Sequence, residues 1–203
     1  MILYPKINTV WKRDERGKIV EGDFSDPETE YLYDCVWDIT EKVDGTNIRV
    51  GWDGVNLEFG GRTDNAQIPA KLTNRLREMF DVTVLERTFP DVSQVVLFGE
   101  GYGAGIQSGG NYRPDQSFIL FDVCVGNWWL LRHDVMDIAE KLGIDAVPVW
   151  QSTLSEANRL VRTGLPSALS STAAEGIVAR TPPMLFNRRG EPLFVKIKTR
   201  DYK

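Results

Sequence analysis

Five short strings in this 203-residue chain combine amines, carboxylates and glycines in patterns that could serve chemistry. Lys42-Val43-Asp44-Gly45-Thr46-Asn47 puts an amine beside a carboxylate at a tight turn between two strand-like runs. Gly99-Glu100-Gly101-Tyr102-Gly103-Ala104-Gly105 follows another such run, and its glycines read as a mobile surface loop. It matches neither the Gly-x-x-x-x-Gly-Lys-Ser/Thr phosphate loop nor the Gly-x-Gly-x-x-Gly dinucleotide pattern. Phe118-Ile119-Leu120-Phe121-Asp122-Val123 is an apolar strand holding one carboxylate, which must lie at a strand end or in a polar site. Glu175-Gly176-Ile177-Val178 opens a further strand. In Leu193-Phe194-Val195-Lys196-Ile197-Lys198, alternation sends Lys196 and Lys198 to one face and the apolar residues to the other. His133 is the only histidine and Cys35 and Cys124 the only cysteines, so a Ser-His or Cys-His nucleophile has almost no material and zinc spacing is absent. A two-carboxylate hydrolase built on Glu100 and Asp122 would leave both lysine strings unexplained.

The elements that must position these strings are mostly strands. Residues 36–41, 47–52, 56–60, 94–98, 118–123, 127–131, 176–180 and 193–198 are short, rich in β-branched or aromatic residues, and separated by Gly and Asp turn signals. The Asp53-Gly54 pair marks a hairpin. Helices are predicted at 69–80, at 133–142 with Gly143 as terminator, and at 155–162 with Ser155 as its cap. Hairpins with inserted helices read as α+β, with mainly antiparallel sheets, in one domain spanning 1–203.

Hydrophobic residues at 42% and charged residues at 26% sit at globular averages, which excludes a disordered chain. No apolar run approaches the ~20 residues that cross a bilayer, and the first residues lack a secretory pattern. A reducing, cytoplasmic setting is expected, with both cysteines acting as small apolar side chains. The net charge of −5 is unevenly spread. Residues 14–41 carry ten acids and two bases, whereas residues 180–203 carry seven bases and two acids. The acidic average argues against extensive coating of nucleic acid. The basic end still leaves room for a few placed phosphate contacts.

In this order the five strings resemble the motifs of the covalent nucleotidyltransferase superfamily, which comprises ATP-dependent DNA ligases, RNA ligases and GTP-dependent capping enzymes. Lys42 to Gly45 is similar to motif I, Gly99-Glu100 to motif III, Phe118 to Asp122 to motif IIIa, Glu175 to Val178 to motif IV, and Lys196 to Lys198 to motif V. Thr46-Asn47 directly after motif I resembles the nick-sealing RNA ligases, the branch that includes RNA-editing ligases. Gly61-Arg62-Thr63 and Gly103-Ala104-Gly105-Ile106-Gln107 agree with that branch.

The resemblance implies an adenylyltransferase (ATP-grasp-like ligase) core and a three-step joining of 3′-hydroxyl and 5′-phosphate ends, with ATP and Mg²⁺ or Mn²⁺ as cofactors. Lys42 would attack the α-phosphate of ATP, which requires its free amine. At an ordinary lysine pKa of about 10.4, freeing it at pH 7 costs roughly 4–5 kcal/mol. Lys196, Lys198 and a divalent cation would lower that cost and clamp the phosphate. Glu41 would help hold the purine, Phe121 would stack on it while Phe118 serves the core, and Glu100 would bond the ribose. Asp44 and Glu175 would orient the metal, largely through water. Arg62 belongs to the nucleotide-binding set, and with Asn47 would also contact the nucleic-acid ends; Asp122 would support the lysine or the metal. Expected partners are RNA ends or a nicked duplex, with no membrane. Most relatives continue into a C-terminal domain after motif V, so an accessory protein in its place is an expectation here. A DNA ligase, a capping guanylyltransferase and a nucleotide- or RNA-end-binding protein without turnover are the alternative readings.

Overall fold

The computed structural model describes residues 1–92 and 94–203. In chain order the elements are β1 (Asn8–Thr9), β2 (Trp11–Arg13), β3 (Ile19–Phe24), α1 (Pro27–Tyr31), β4 (Val36–Glu41), β5 (Thr46–Trp52), β6 (Leu57–Gly60), α2 (Ala70–Met79) and α3 (Val82–Thr88). There follow β7 (Val95–Tyr102), β8 (Ser117–Val125), β9 (Trp128–Trp129), α4 (Arg132–Leu142), β10 (Asp145–Ala146), β11 (Val149–Thr153), α5 (Leu154–Thr163), β12 (Gly176–Arg180) and β13 (Phe194–Lys198). They group into two compact units, one made of Met1–Tyr4 and Val43–Val147, the other of Pro5–Lys42 and Pro148–Lys203. The sheets are mostly antiparallel with few helices, the α+β class predicted. No helix among the described residues is long and apolar enough to cross a membrane.

The second unit is built on a five-stranded sheet of order β1-β13-β12-β4-β11, antiparallel except for the β1–β13 pair. Strand alternation divides its faces. Trp37, Ile39, Ile177, Ala179, Val195 and Ile197 pack against Leu154, Ala157 and Val161 of α5. The opposite face carries Asp38, Thr40, Val178, Arg180, Lys196 and Lys198. The cap of helix α5 lies two residues earlier than the predicted serine. Thr153 is its cap, accepting from the Glu156 amide at 3.1 Å while Glu156 reaches back to the Thr153 amide.

In the first unit a six-stranded sheet runs β10-β8-β7-β5-β6, with β9 paired to β8. Ile48, Val50, Leu97, Phe118 and Leu120 face Leu72 and Leu76 of α2, Leu85 of α3, and Val135 and Ile138 of α4. Each such side chain contributes about 1.5–3 kcal/mol by leaving water. Helix α3 has no counterpart in the sequence prediction. Its Val-Thr-Val start is β-branched and reads against a helix, but Asp81 caps it by accepting from the Thr83 amide at 2.7 Å. Strand β7 runs to Tyr102 rather than stopping at residue 98. The glycines of the second string therefore belong partly to a strand. A Cβ at Gly99 would overlap the Phe118 ring, and one at Gly101 would lie 2.5 Å from Leu72 Cδ2.

Candidate active site

In the second unit, the ends of three neighbouring strands bring together residues from three of the strings. Lys42 follows the last residue of β4, and its amide donates to the Gly176 carbonyl at 2.9 Å. Gly176 lies opposite Lys198 in the β12–β13 ladder. Glu175 precedes β12, and its carbonyl accepts from the Thr199 amide at 2.9 Å, which ties the start of β12 to the end of β13. The side chains then meet. Lys42 Nζ donates to Glu175 Oε2 at 2.5 Å, and Lys198 Nζ stands 3.3 Å from Oε1 of the same carboxylate. All three are mostly buried, at 24%, 19% and 15% side-chain exposure. Two ammonium groups share one carboxylate, so the cluster keeps net positive charge, and Lys196 adds another cation on the same face.

Glycine is required at position 176, because a Cβ there would overlap the Ile197 carbonyl oxygen and lie 2.8 Å from Lys198 Cα. The β13 alternation places Val195 and Ile197 in the core as predicted. Phe194 departs from the pattern: it shares the parity of the lysines, yet is buried at 5% exposure. The lysine face also holds charged residues that the motif reading missed. Asp38 and Arg180 are opposite one another in the β4–β12 ladder and are 5% and 2% exposed, and Asp38 accepts from Gln151 Nε2 at 3.1 Å. For Asp38 the signal was its shared parity with Thr40 and Lys42, alternating with the apolar Trp37 and Ile39.

Glu41, predicted to help hold a purine, spends its carboxylate inside the unit. Oε1 accepts from Ser167 Oγ at 2.5 Å and Oε2 from the Ala168 amide at 2.8 Å. Ser167 Oγ in turn accepts from the Leu169 and Ser170 amides, each at 3.0 Å. Glu41 thus pins the 167–170 turn.

The first unit begins its main segment at Val43, immediately after the lysine, and groups Asp44, Asn47 and Glu100. The Asp44 amide donates to the Tyr112 hydroxyl and Asp44 Oδ2 accepts from the Ser108 amide, both at 3.3 Å. The carboxylate therefore staples the loop that follows β7, where Gln107 holds a left-handed φ of 46°. A Cβ at Gly45 would overlap the Gly101 carbonyl oxygen and lie 2.8 Å from Glu100 Cγ, so only glycine lets this turn lie on β7. Asn47 is opposite Glu100 in the β5–β7 ladder, and its Oδ1 is buried without a hydrogen-bond partner among the described residues.

Arg62 is exposed and makes no ion pair or hydrogen bond among the described residues. Arg49, fully buried, builds the turn around it: Nε donates to the Gly61 carbonyl at 2.7 Å and one amino group to Asp64 at 2.9 Å. The other amino group donates to the carbonyls of Met1 and Ile2 at 3.2 and 3.3 Å.

Phe118 is in the core as predicted. Phe121 occupies a bulge, because β7 pairs Phe98 with Asp122 and Gly99 with Leu120. Its half-buried ring meets Tyr4 edge-on at 5.0 Å, and its carbonyl accepts from Arg132. Asp122, wholly buried, accepts from the Tyr4 hydroxyl at 2.6 Å and from Arg132 at 3.1 Å. The carboxylate in the apolar strand is thus held in a polar site. Cys35 is exposed, against expectation, whereas Cys124 is buried and its thiol is pushed up to about 11 by desolvation, with Asp122 adding to it. Both are free thiols. The Arg113 guanidinium holds the Asp115 carboxyl below the usual range and bonds the Tyr102 hydroxyl at 3.4 Å, which braces the end of the loop.

A family model described as RNA ligase matches residues 36–198, four fifths of the chain. No curated protein sequence matches it significantly. Among solved structures, a substituted Naegleria gruberi RNA ligase with ATP and Mn is 18% identical, with a TM-score of 0.68, over 98% of this chain and 62% of that one. The same organism's RNA ligase with PPi is 19% identical with a TM-score of 0.67, over 98% and 62%. A form with AMP and Mn is 18% identical with a TM-score of 0.67, over the same shares. At these identities the likeness establishes the fold, and the chain spans about three fifths of the length of these structures.

Proposed function

This chain belongs to the RNA ligase family, and from that premise we propose that it is an ATP-dependent RNA ligase of the nick-sealing type. The observation that carries the reading is the convergence of Lys42, Glu175 and Lys198, from three separate strings, on one carboxylate. In the first step the Lys42 nitrogen forms a bond to the α-phosphorus of ATP, and the bond to the pyrophosphate oxygen breaks, its electron pair leaving with pyrophosphate. The proton leaves Nζ beforehand, and Glu175 Oε2, at 2.5 Å, is the carboxylate within reach of it. Lys198 and Lys196 balance the negative charge that gathers on the phosphates. A 5′-phosphate oxygen then displaces Lys42 from the adenylate. Finally a 3′-hydroxyl attacks the activated 5′-phosphorus and expels AMP.

Glu100 and Phe121 are the proposed ribose and purine contacts. Asn47, with its orphaned buried oxygen, and Arg62, with its unpaired guanidinium, are the proposed contacts to the ends. No three His, Cys, Asp or Glu side chains converge among the described residues. Glu175, the carboxylate of the lysine cluster, would orient a divalent cation through that ion's own water. Such an ion supplies charge neutralisation on the triphosphate. The solved relatives bound to ATP, AMP, PPi and Mn support this choice of cofactors.

Sealing assays test the reading. Nicked duplexes with RNA or DNA at the 3′-hydroxyl side are incubated with ATP or GTP and Mg²⁺. Sealing of the RNA nick with ATP is expected. Preference for a DNA 3′-hydroxyl would move the assignment to a DNA ligase, and nucleotide transfer from GTP alone to a capping enzyme. Absence of any joined product would leave only end binding.

A further inference from the structure

Between β12 and β13, the strands that bring Glu175 and Lys198 together, the chain makes a hairpin whose tip is Asn187-Arg188-Arg189-Gly190. The tip is rigidly built. The Asn187 side-chain oxygen accepts from the Arg189 and Glu191 amides at 2.9 and 3.0 Å, and the Asn187 amide donates to the Glu191 carbonyl at 2.9 Å. Gly190 supplies the left-handed residue, with φ at 76°. Below the tip, Phe186 bridges Pro192, and the Leu193 amide donates to the Leu185 carbonyl at 2.9 Å. The one acid of the turn, Glu191, is taken by the Asn187 side-chain amide at 2.7 Å. Arg188 and Arg189 are exposed and form no ion pair or hydrogen bond through their guanidinium groups among the described residues. Two guanidinium groups without ion pairs on a pre-formed turn, in a chain of net charge −5, are a localised site for a polyanion, although Arg189 also borders a cleft that holds Asp26 and Glu28.

We propose that this arginine hairpin is a phosphate-backbone contact for the duplex on which the ligase acts, away from the joining site. The inference rests on the RNA-joining reading above. Its reach follows from the chain length: Arg189 precedes Lys198 by nine residues, at most about 30 Å of extended strand. At about 3.4 Å per phosphate along a duplex strand, the arginines meet the backbone within about nine nucleotides of the reacting phosphate. Its contribution is therefore independent of base sequence, sensitive to salt, and dependent on arm length.

The test is a binding titration of nicked RNA duplexes over a range of salt concentrations, for the full chain and for Arg188→Ala/Arg189→Ala. Binding does not require sealing, so the hairpin and the proposed activity are judged separately. With arms of about 12 base pairs, the double variant is expected to bind about tenfold more weakly, and the slope of log affinity against log salt is expected to flatten by about two. When one arm is cut to about 3 base pairs, the parent chain is expected to lose most of that advantage. Equal slopes for parent and variant would overturn the hairpin contact even if the parent seals nicks. Failure of the parent to seal any nick, with the slopes still different, would overturn the ligase reading and leave the contact standing.

Discussion

Lys42 and Glu175 lie 133 positions apart in sequence and meet Nζ to Oε2 at 2.5 Å, and Lys198 approaches the other oxygen of that carboxylate. If Glu175 organises the two lysines, Glu175→Gln keeps the shape and one acceptor but removes the charge that holds the ammonium groups together. Transfer of label from α-labelled ATP to protein is expected to slow by about 10²-fold, with circular dichroism unchanged. Undiminished labelling in a folded Glu175→Gln chain would show the carboxylate to be dispensable.

Arg49 touches none of the proposed reactants, yet it fixes the turn that presents Arg62. Arg49→Lys removes the planar fork and cannot reproduce all of its bonds. Self-labelling is expected to stay within about twofold of the parent, while sealing of a pre-adenylylated nick falls by about tenfold. Arg49→Lys added to Arg62→Ala should cost little more than Arg62→Ala alone. Equal losses in labelling and sealing would assign Arg49 to stability only.

The capping box at the start of α5 gives a prediction about stability. Thr153→Ala orphans the Glu156 amide and frees the helix that covers the lysine-bearing sheet. A loss of about 1 kcal/mol is expected, read as a lower urea midpoint at unchanged slope. Ser155→Ala should do far less, since Ser155 lies inside the helix.

Burial raises two acidic groups, the Cys124 thiol to about 11 and the Tyr202 phenol to about 12, from 9.0 and 10.0. The folded chain therefore holds protons that the unfolded chain has already released. The stability this contributes is complete below about pH 9 and is lost as pH rises through 11 and 12. The melting temperature should fall over that window, less steeply in Cys124→Ala. At pH 8, exposed Cys35 should react with thiol reagents in the native state while Cys124 reacts only on unfolding.

The sequence made the strands legible because alternation and turn chemistry are local: β4 and β12 are found at the predicted residues. The lysine–glutamate cluster was approachable because each member belongs to a short string. What remained hidden depends on partners distant in sequence. Nothing near Glu41 announces that Ser167 will take its carboxylate, nor near Asp122 that Tyr4 and Arg132 will enclose it. Nothing local to Arg49 announces that the fold will bury it against Gly61 and Asp64. The glycines of the second string read as a mobile loop, whereas Gly99 and Gly101 are there for close packing.

The most direct measurement is to incubate the chain with ATP and Mg²⁺, digest it, and locate the added AMP by peptide mass spectrometry. The expected adduct is an acid-labile phosphoramide on Lys42, absent from Lys42→Ala and from chain incubated with GTP. An adduct on another residue, or no adduct while Lys42→Ala still seals nicked RNA, would contradict the assignment of Lys42 as the nucleophile.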